Sequence, residues 1–177
     1  SGSTGNVIKG NFIGTDVSGT LDLGNSAVGV AIGVGASENV IGGTEAGSRN
    51  LISGNDSAGV HIGETGSTGN IVQGNYIGTD VTGTLALGNV YEGVFIGVGA
   101  SNNVIGGNKA GAGNLISGNN GNGVTITDVS STGNLVQGNY IGTDASGTLS
   151  LGNTADGVVI TLAIGNTVGG TTPKARN

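Results

Sequence analysis

One internal repeat limits what this chain can fold into more than any other feature. The string Gly-Asn-Phe-Ile-Gly-Thr-Asp ends at Asp16, and Gly-Asn-Tyr-Ile-Gly-Thr-Asp ends at Asp80 and again at Asp144, a spacing of 64 residues. Inside that period the unit divides in two. A Gly-Val-x-Ile segment (A) begins at Gly29, Gly59, Gly93, Gly123 and Gly157, at spacings of 30, 34, 30 and 34. An Asn-led segment (B) begins at Asn6, Asn39, Asn70, Asn103, Asn134 and Asn166, and another (C) at Asn11, Asn50, Asn75, Asn114 and Asn139. Each half-period therefore carries three short apolar runs separated by turn residues. No such unit can enclose a core alone, but stacked units bury one continuous column.

Composition selects the kind of stack. Val and Ile far outnumber Leu, and 40 of the 177 residues are Gly, with a single Pro and no Cys. β-Branched side chains suit strands, and interior Gly penalises helices, so a helical solenoid is excluded. Gly does not recur at every third position, which excludes a collagen-like chain. The fold class expected is all-β: a three-sided parallel β-helix of about five coils forming a single domain over 1–177. It is expected to wind right-handedly, because strands twist that way and crossovers follow. Core positions are predicted at Val30/Ile32, Val60/Ile62, Val94/Ile96, Val124/Ile126 and Val158/Ile160 from A. Segment B supplies Ile8, Ile41, Val72, Ile105, Val136 and Val168, and C supplies Ile13, Ile52, Ile77, Ile116 and Ile141.

The segments Asn39-Val40-Ile41-Gly42-Gly43, Asn70-Ile71-Val72-Gln73-Gly74-Asn75 and Gly93-Val94-Phe95-Ile96 carry a resemblance that covers essentially the whole chain. The chain resembles the right-handed parallel β-helix repeat proteins, the pectate-lyase-like superfamily. That resemblance implies a setting among polysaccharide lyases and hydrolases, tailspikes, adhesins and passenger stalks. It implies, on the outer face of one sheet, a calcium-binding acidic cluster with an Arg or Lys base in the lyases, or several Asp in the hydrolases. The outward file of segment A reads Ala31, His61, Phe95, Thr125 and Val159, with no acid and no Arg, so no catalytic residue carries over. His61, the one histidine, is expected to be an incidental surface residue.

Repeated Asn at the head of B and C suits tight corners, where its amide bonds neighbouring backbone; stacked one strand spacing apart, the amides can also bond one another. Aligning Asn50 with Asn75 places Asp16, Asn55, Asp80, Asn119 and Asp144 in one expected file of alternating carboxylates and amides. Asp16, Asp80 and Asp144 are in turn the calcium candidates, since hard cations collect oxygen ligands; no other cofactor is expected.

After each of these Asp residues runs a constant loop, 16–25, 80–89 and 144–153, with leucines at Leu21/Leu23, Leu85/Leu87 and Leu149/Leu151. Those leucines are expected to fold over the outward file of segment C, namely Phe12, Leu51, Tyr76, Leu115 and Tyr140. Left uncovered, Phe12, Tyr76 and Tyr140 would be carbohydrate contacts, one every second coil. Arg49, Lys109, Lys174 and Arg176 fall at the B–C corner and read as a solvated rim, with contact to an acidic polymer as the alternative.

A formal net charge of −6 with five Lys+Arg in all argues against nucleic acid and anionic membranes as partners. No apolar run reaches membrane-spanning length. The first residues fall in mid-pattern, so the chain is expected to be a segment of a longer secreted or cell-surface repeat protein, with end-to-end self-association through uncapped coils. The expected role is a rigid structural or adhesive segment with weak polysaccharide contacts. The alternative is the scaffold of a polysaccharide lyase or glycoside hydrolase, with its active site here or in flanking coils. Near-identical repeats disfavour the second, since acid–base cleavage needs one singular pair of carboxylates in distinct environments.

Overall fold

The computed structural model describes residues 2–177. It is a parallel β-solenoid of about five turns with three sheets. Sheet A stacks Val30–Ile32, Val60–Ile62, Val94–Ile96, Val124–Thr127 and Val158–Thr161. Sheet B stacks Val7–Ile8, Val40–Gly42, Ile71–Gln73, Val104–Gly106, Leu135–Gln137 and Thr167–Val168, and sheet C stacks Phe12–Ile13, Leu51–Ile52, Tyr76–Ile77, Leu115–Ile116 and Tyr140–Ile141. The only helical element among the described residues is a single 3-10 turn at Pro173–Ala175. No helix among them is long and apolar enough to cross a membrane.

Register follows the repeat. Val30 pairs with Val60, Val60 with Val94, Val94 with Val124 and Val124 with Val158. Ile41 pairs with Val72, and Ile52 with Ile77. Alternation of side chains across each strand then sends every second residue inward, and three sheets converge on one Val/Ile rod. Ile41, Ile52, Ile62, Ile77, Ile96, Ile105, Ile116 and Ile126 are fully buried in it. Ile8, Ile13, Ile141 and Val158 pack against it while partly exposed. Ile160 and Val168, also assigned to the core, are 42% and 45% exposed, because they lie on the last of the described turns and have a stacked neighbour on one side only.

Each corner is closed by an asparagine ladder. Asn6, Asn39, Asn70, Asn103, Asn134 and Asn166 run along the A–B corner through Nδ2-to-Oδ1 bonds of 2.8–3.1 Å. Asn11, Asn50, Asn75, Asn114, Asn139 and Asn177 do the same at the B–C corner. Each interior Oδ1 accepts from both the backbone N–H and the Nδ2 of the rung before it. The Nδ2 spends its second proton on a main-chain carbonyl, as Asn75 does on Ile41. The amide's full donor and acceptor capacity is thereby used, and among the described residues no buried side-chain polar atom lacks a partner.

Candidate functional site

The groove on the outer face of sheet C is bounded by the three long C–A loops on one side and by the B–C corner on the other. Its floor is the file Phe12, Leu51, Tyr76, Leu115 and Tyr140, whose strand register is continuous. Phe12 is 44% and Tyr140 52% exposed, Tyr76 is half-buried, and Leu51 and Leu115 are buried.

The loops cover this file by a route other than the expected one. Leu21, Leu85 and Leu149 point to solvent, each more than 60% exposed, as does Leu23. The roof is built from the turn before them. Val81 N–H donates to Gly19 O at 2.9 Å, and Ala145 N–H donates to Gly83 O at 2.9 Å, so loops two turns apart bond across the turn between them. Gly19 and Val81 close over Leu51 and the edge of Phe12, and Gly83 and Ala145 over Leu115 and the edge of Tyr76. A glycine is required at both places: φ is +68° and +70°, and an added Cβ would press on those side chains.

Asp16, Asp80 and Asp144 organise the loops. Asp80 Oδ1 accepts from the N–H groups of Thr84 and Leu85 at 3.0 Å, and its Oδ2 from the Thr82 hydroxyl at 2.6 Å. Asp16 repeats this with Ser18, Thr20 and Leu21, and Asp144 with Ser146, Thr148 and Leu149. Antiparallel bridges Thr15–Asp22, Thr79–Ala86 and Thr143–Ser150 close the loop necks. As calcium candidates the three carboxylates therefore face N–H and O–H donors of their own loops. Among the described residues no three His, Cys, Asp or Glu side chains gather at a point where one metal ion would meet them.

These bonds favour the ionised form. The Ser18 hydroxyl, with the N–H groups of Leu21 and Thr20, holds Asp16 far below the ordinary carboxylate range. The Leu149 N–H and the Ser146 hydroxyl bring Asp144 to about 2. For Asp80 burial pulls upward, and the Thr82 hydroxyl with the Leu85 and Thr84 N–H groups outweighs it, so the net shift is again downward. A carboxyl depressed in the folded state stabilises that state above its unfolded pKa of about 3.9 and loses the effect as pH falls through the folded value. The thermal midpoint is thus expected to hold down to about pH 4 and to fall between there and about pH 2. The variant carrying Asp16→Asn, Asp80→Asn and Asp144→Asn is expected to melt lower at neutral pH and to show a flatter dependence over that acid interval. Circular-dichroism melts at several pH values check both.

The expected alternating file of Asp and Asn does not exist. Asn55 and Asn119 belong to a third ladder, Asn25, Asn55, Asn89, Asn119 and Asn153, at the C–A corner. The Asp loops are insertions displaced outward from that corner, so the ladder resumes at their far ends. A signal for it stands in the chain: Gly-Asn recurs at Asn25, Asn55, Asn89, Asn119 and Asn153, with the same 30/34 spacing as segment A.

His61 is not a free surface residue. It stacks on Phe95 of the next turn, with ring centroids 4.9 Å apart and planes at 22°. Burial lowers its pKa, and the fields of Glu64 and Glu92 only partly offset that. The contact that sequence reasoning missed is at Tyr76, where the guanidinium of Arg49 lies 3.8 Å from the ring centroid. Of the three aromatics proposed to meet carbohydrate, Phe12 and Tyr140 thus keep exposed faces, while Tyr76 carries a cation on its ring.

No protein-family model, curated protein or solved structure matches the chain. The functional reading rests on the geometry just described.

Proposed function

We propose that the chain is a rigid structural or adhesive repeat segment, secreted or at the cell surface, that offers the sheet C groove to extended polysaccharides. The observation that supports this is periodic: Phe12, Tyr76 and Tyr140 are stacked two strand spacings apart, about 10 Å, along a straight groove. A polymer of rings with a disaccharide repeat of similar length can present the same ring at every second turn, to the exposed rings of Phe12 and Tyr140 and to the Arg49-capped ring of Tyr76. Aromatic faces meeting sugar C–H groups give weak, repeated contacts, which suit avidity along a polymer rather than tight capture of a monomer. The ladders and the unbroken core supply stiffness. We further infer right-handed winding and kinship with the pectate-lyase-like architecture, supported by the chirality of parallel crossovers and by the repeat segments. Stacking of further coils, or of another copy end to end, would cover Ile160, Ile164 and Val168, all exposed on the last turn.

A scaffold role predicts binding without turnover. On a glycan array the chain is expected to bind extended polysaccharides and to release no product. Replacing Phe12 and Tyr140 by Ala should weaken binding by roughly tenfold and, because each ring is about half exposed, lower the melting midpoint by only about a few degrees. Two results would overturn this reading: absence of binding to every glycan, or cleavage abolished by changing a single carboxylate.

A further inference from the structure

The charges of this acidic chain are sorted by corner. All five cations, Lys9, Arg49, Lys109, Lys174 and Arg176, lie on the B–C corner, and all five side chains are exposed. Glu45 is the one acid there; the other ten acids lie on the C–A and A–B corners. A molecule of net charge −6 thus carries one edge with four net positive charges, and that edge is the wall of the sheet C groove. Two depressions open between them. One, of about 420 Å³, is lined by Phe12, Glu45, Arg49 and Tyr76; the other, of about 600 Å³, is lined by Lys109, Tyr140, Lys174 and Arg176 and by no acid.

The order along the axis is specific. The corner is long and basic on the second, fourth and sixth turns, at Arg49, Lys109 and Lys174/Arg176. On the third and fifth turns it shrinks to Gly74-Asn75 and Gly138-Asn139, followed at once by Tyr76 and Tyr140. From the second turn onward, basic corners and tyrosine-bearing turns therefore alternate at one strand spacing, roughly 4.8 Å, and the pattern repeats about every 10 Å, while the first turn carries both Lys9 and Phe12. Arg49 reaches along the axis to the next turn, where its guanidinium lies 3.8 Å from the Tyr76 ring centroid, a cation–π contact that places the charge.

Resting on the polysaccharide reading above, we propose that the groove binds an anionic glycan whose charge alternates: one carboxylate or sulfate per disaccharide, with an uncharged ring between. The anions meet Arg49, Lys109 and Lys174/Arg176, and the neutral rings lie at the tyrosine turns. A polymer charged on every ring would set half its anions against the electron-rich faces of aromatic side chains, which repel them. A neutral polymer would leave the basic edge without a role.

Three probes test this with the full chain by titration calorimetry: hyaluronan oligosaccharides, in which glucuronate alternates with N-acetylglucosamine; polygalacturonate, charged on every residue; and a neutral β-glucan. Hyaluronan is expected to bind tightest and to weaken about tenfold when salt is raised from about 50 to about 300 mM, since exposed charges are screened. Either pair, Arg49→Gln with Lys109→Gln or Lys174→Gln with Arg176→Gln, should cost about fivefold or more in hyaluronan affinity and leave the melting midpoint in place. Equal binding of the neutral glucan, indifferent to salt and to both pairs, would overturn the charge inference and leave the polysaccharide reading standing. Preference for polygalacturonate would overturn the alternation. Failure of all three probes would overturn this proposal, and the polysaccharide reading falls with it only if the glycan array is also blank. Salt-sensitive oligomers of the chain alone in sedimentation, lost in either pair, would assign the edge to a second copy and overturn the proposal.

Discussion

Gly78→Ala is expected to destabilise the solenoid by about 3–5 kcal/mol, whereas Gly152→Ala changes stability by less than about 0.5 kcal/mol. Gly78 follows the third strand of sheet C at φ +90°, where an L side chain is strained. A Cβ there would overlap the Ser117 carbonyl and the Asn119 amide of the next turn, both buried. Neither neighbour can move: Asn119 is a rung of the C–A ladder, and the Ser117 N–H is bonded to Ile77 O. Gly42 and Gly106 meet the same obstruction in sheet B, against Gln73 and Asn75 and against Gln137 and Asn139. Gly152 has open space around its Cβ position and an ordinary φ. Urea denaturation of the two variants separates them. A Gly78→Ala midpoint close to wild type would mean that the turns do not sit at this separation.

Asn75→Leu should cost about as much, roughly 3–6 kcal/mol, although it adds apolar surface to a buried site. Asn75 is fully buried, and its Oδ1 accepts from Asn50 N at 3.2 Å and Asn50 Nδ2 at 2.9 Å. Its own Nδ2 donates to Ile41 O, Gln73 O and Asn114 Oδ1. Leucine leaves the Asn50 backbone N–H without its partner in a dry corner, strips one proton of the Asn50 amide of its acceptor, and removes a donor from Ile41 O. Each orphaned group costs about 1–3 kcal/mol. Asn6→Leu is the matching control: Asn6 is exposed, its Nδ2 donates to Asn39 Oδ1, and that oxygen keeps the bond from the Asn6 backbone N–H, so the loss should be under about 1 kcal/mol. Equal losses at Asn6 and Asn75 would mean that the ladder's contribution is not desolvation-dependent.

How much of this was legible beforehand differs residue by residue. The inward files were readable because a stack repeats its environment: Ile41, Val72 and Ile105 occupy one position in three turns, and the letters align without gaps. The A–B and B–C ladders were readable for the same reason. The C–A ladder was not, because each Asp loop interposes residues between the Asp and Asn25, Asn89 or Asn153, and counting forward from Asn50 and Asn75 puts Asp80 opposite Asn55. Counting back from segment A would have placed them correctly. Leu21, Leu85 and Leu149 misled for a different reason. Hydrophobicity argues that a leucine seeks cover, but the hydrogen bonds of Asp16, Asp80 and Asp144 set the loop's path and turn the leucines outward. His61 on Phe95 and Arg49 on Tyr76 depend on side-chain reach between turns, which a spacing pattern does not encode.

Side-chain amide exchange, read by NMR on asparagine NH2 groups, addresses the stacking most directly. If equivalent residues of successive turns lie over one another around a dry rod, the NH2 protons of Asn50, Asn75, Asn89, Asn103 and Asn114 should exchange orders of magnitude more slowly than those of exposed Asn102 and Asn108. Uniformly fast exchange at all of them would contradict the three-ladder solenoid, and the periodic groove with it.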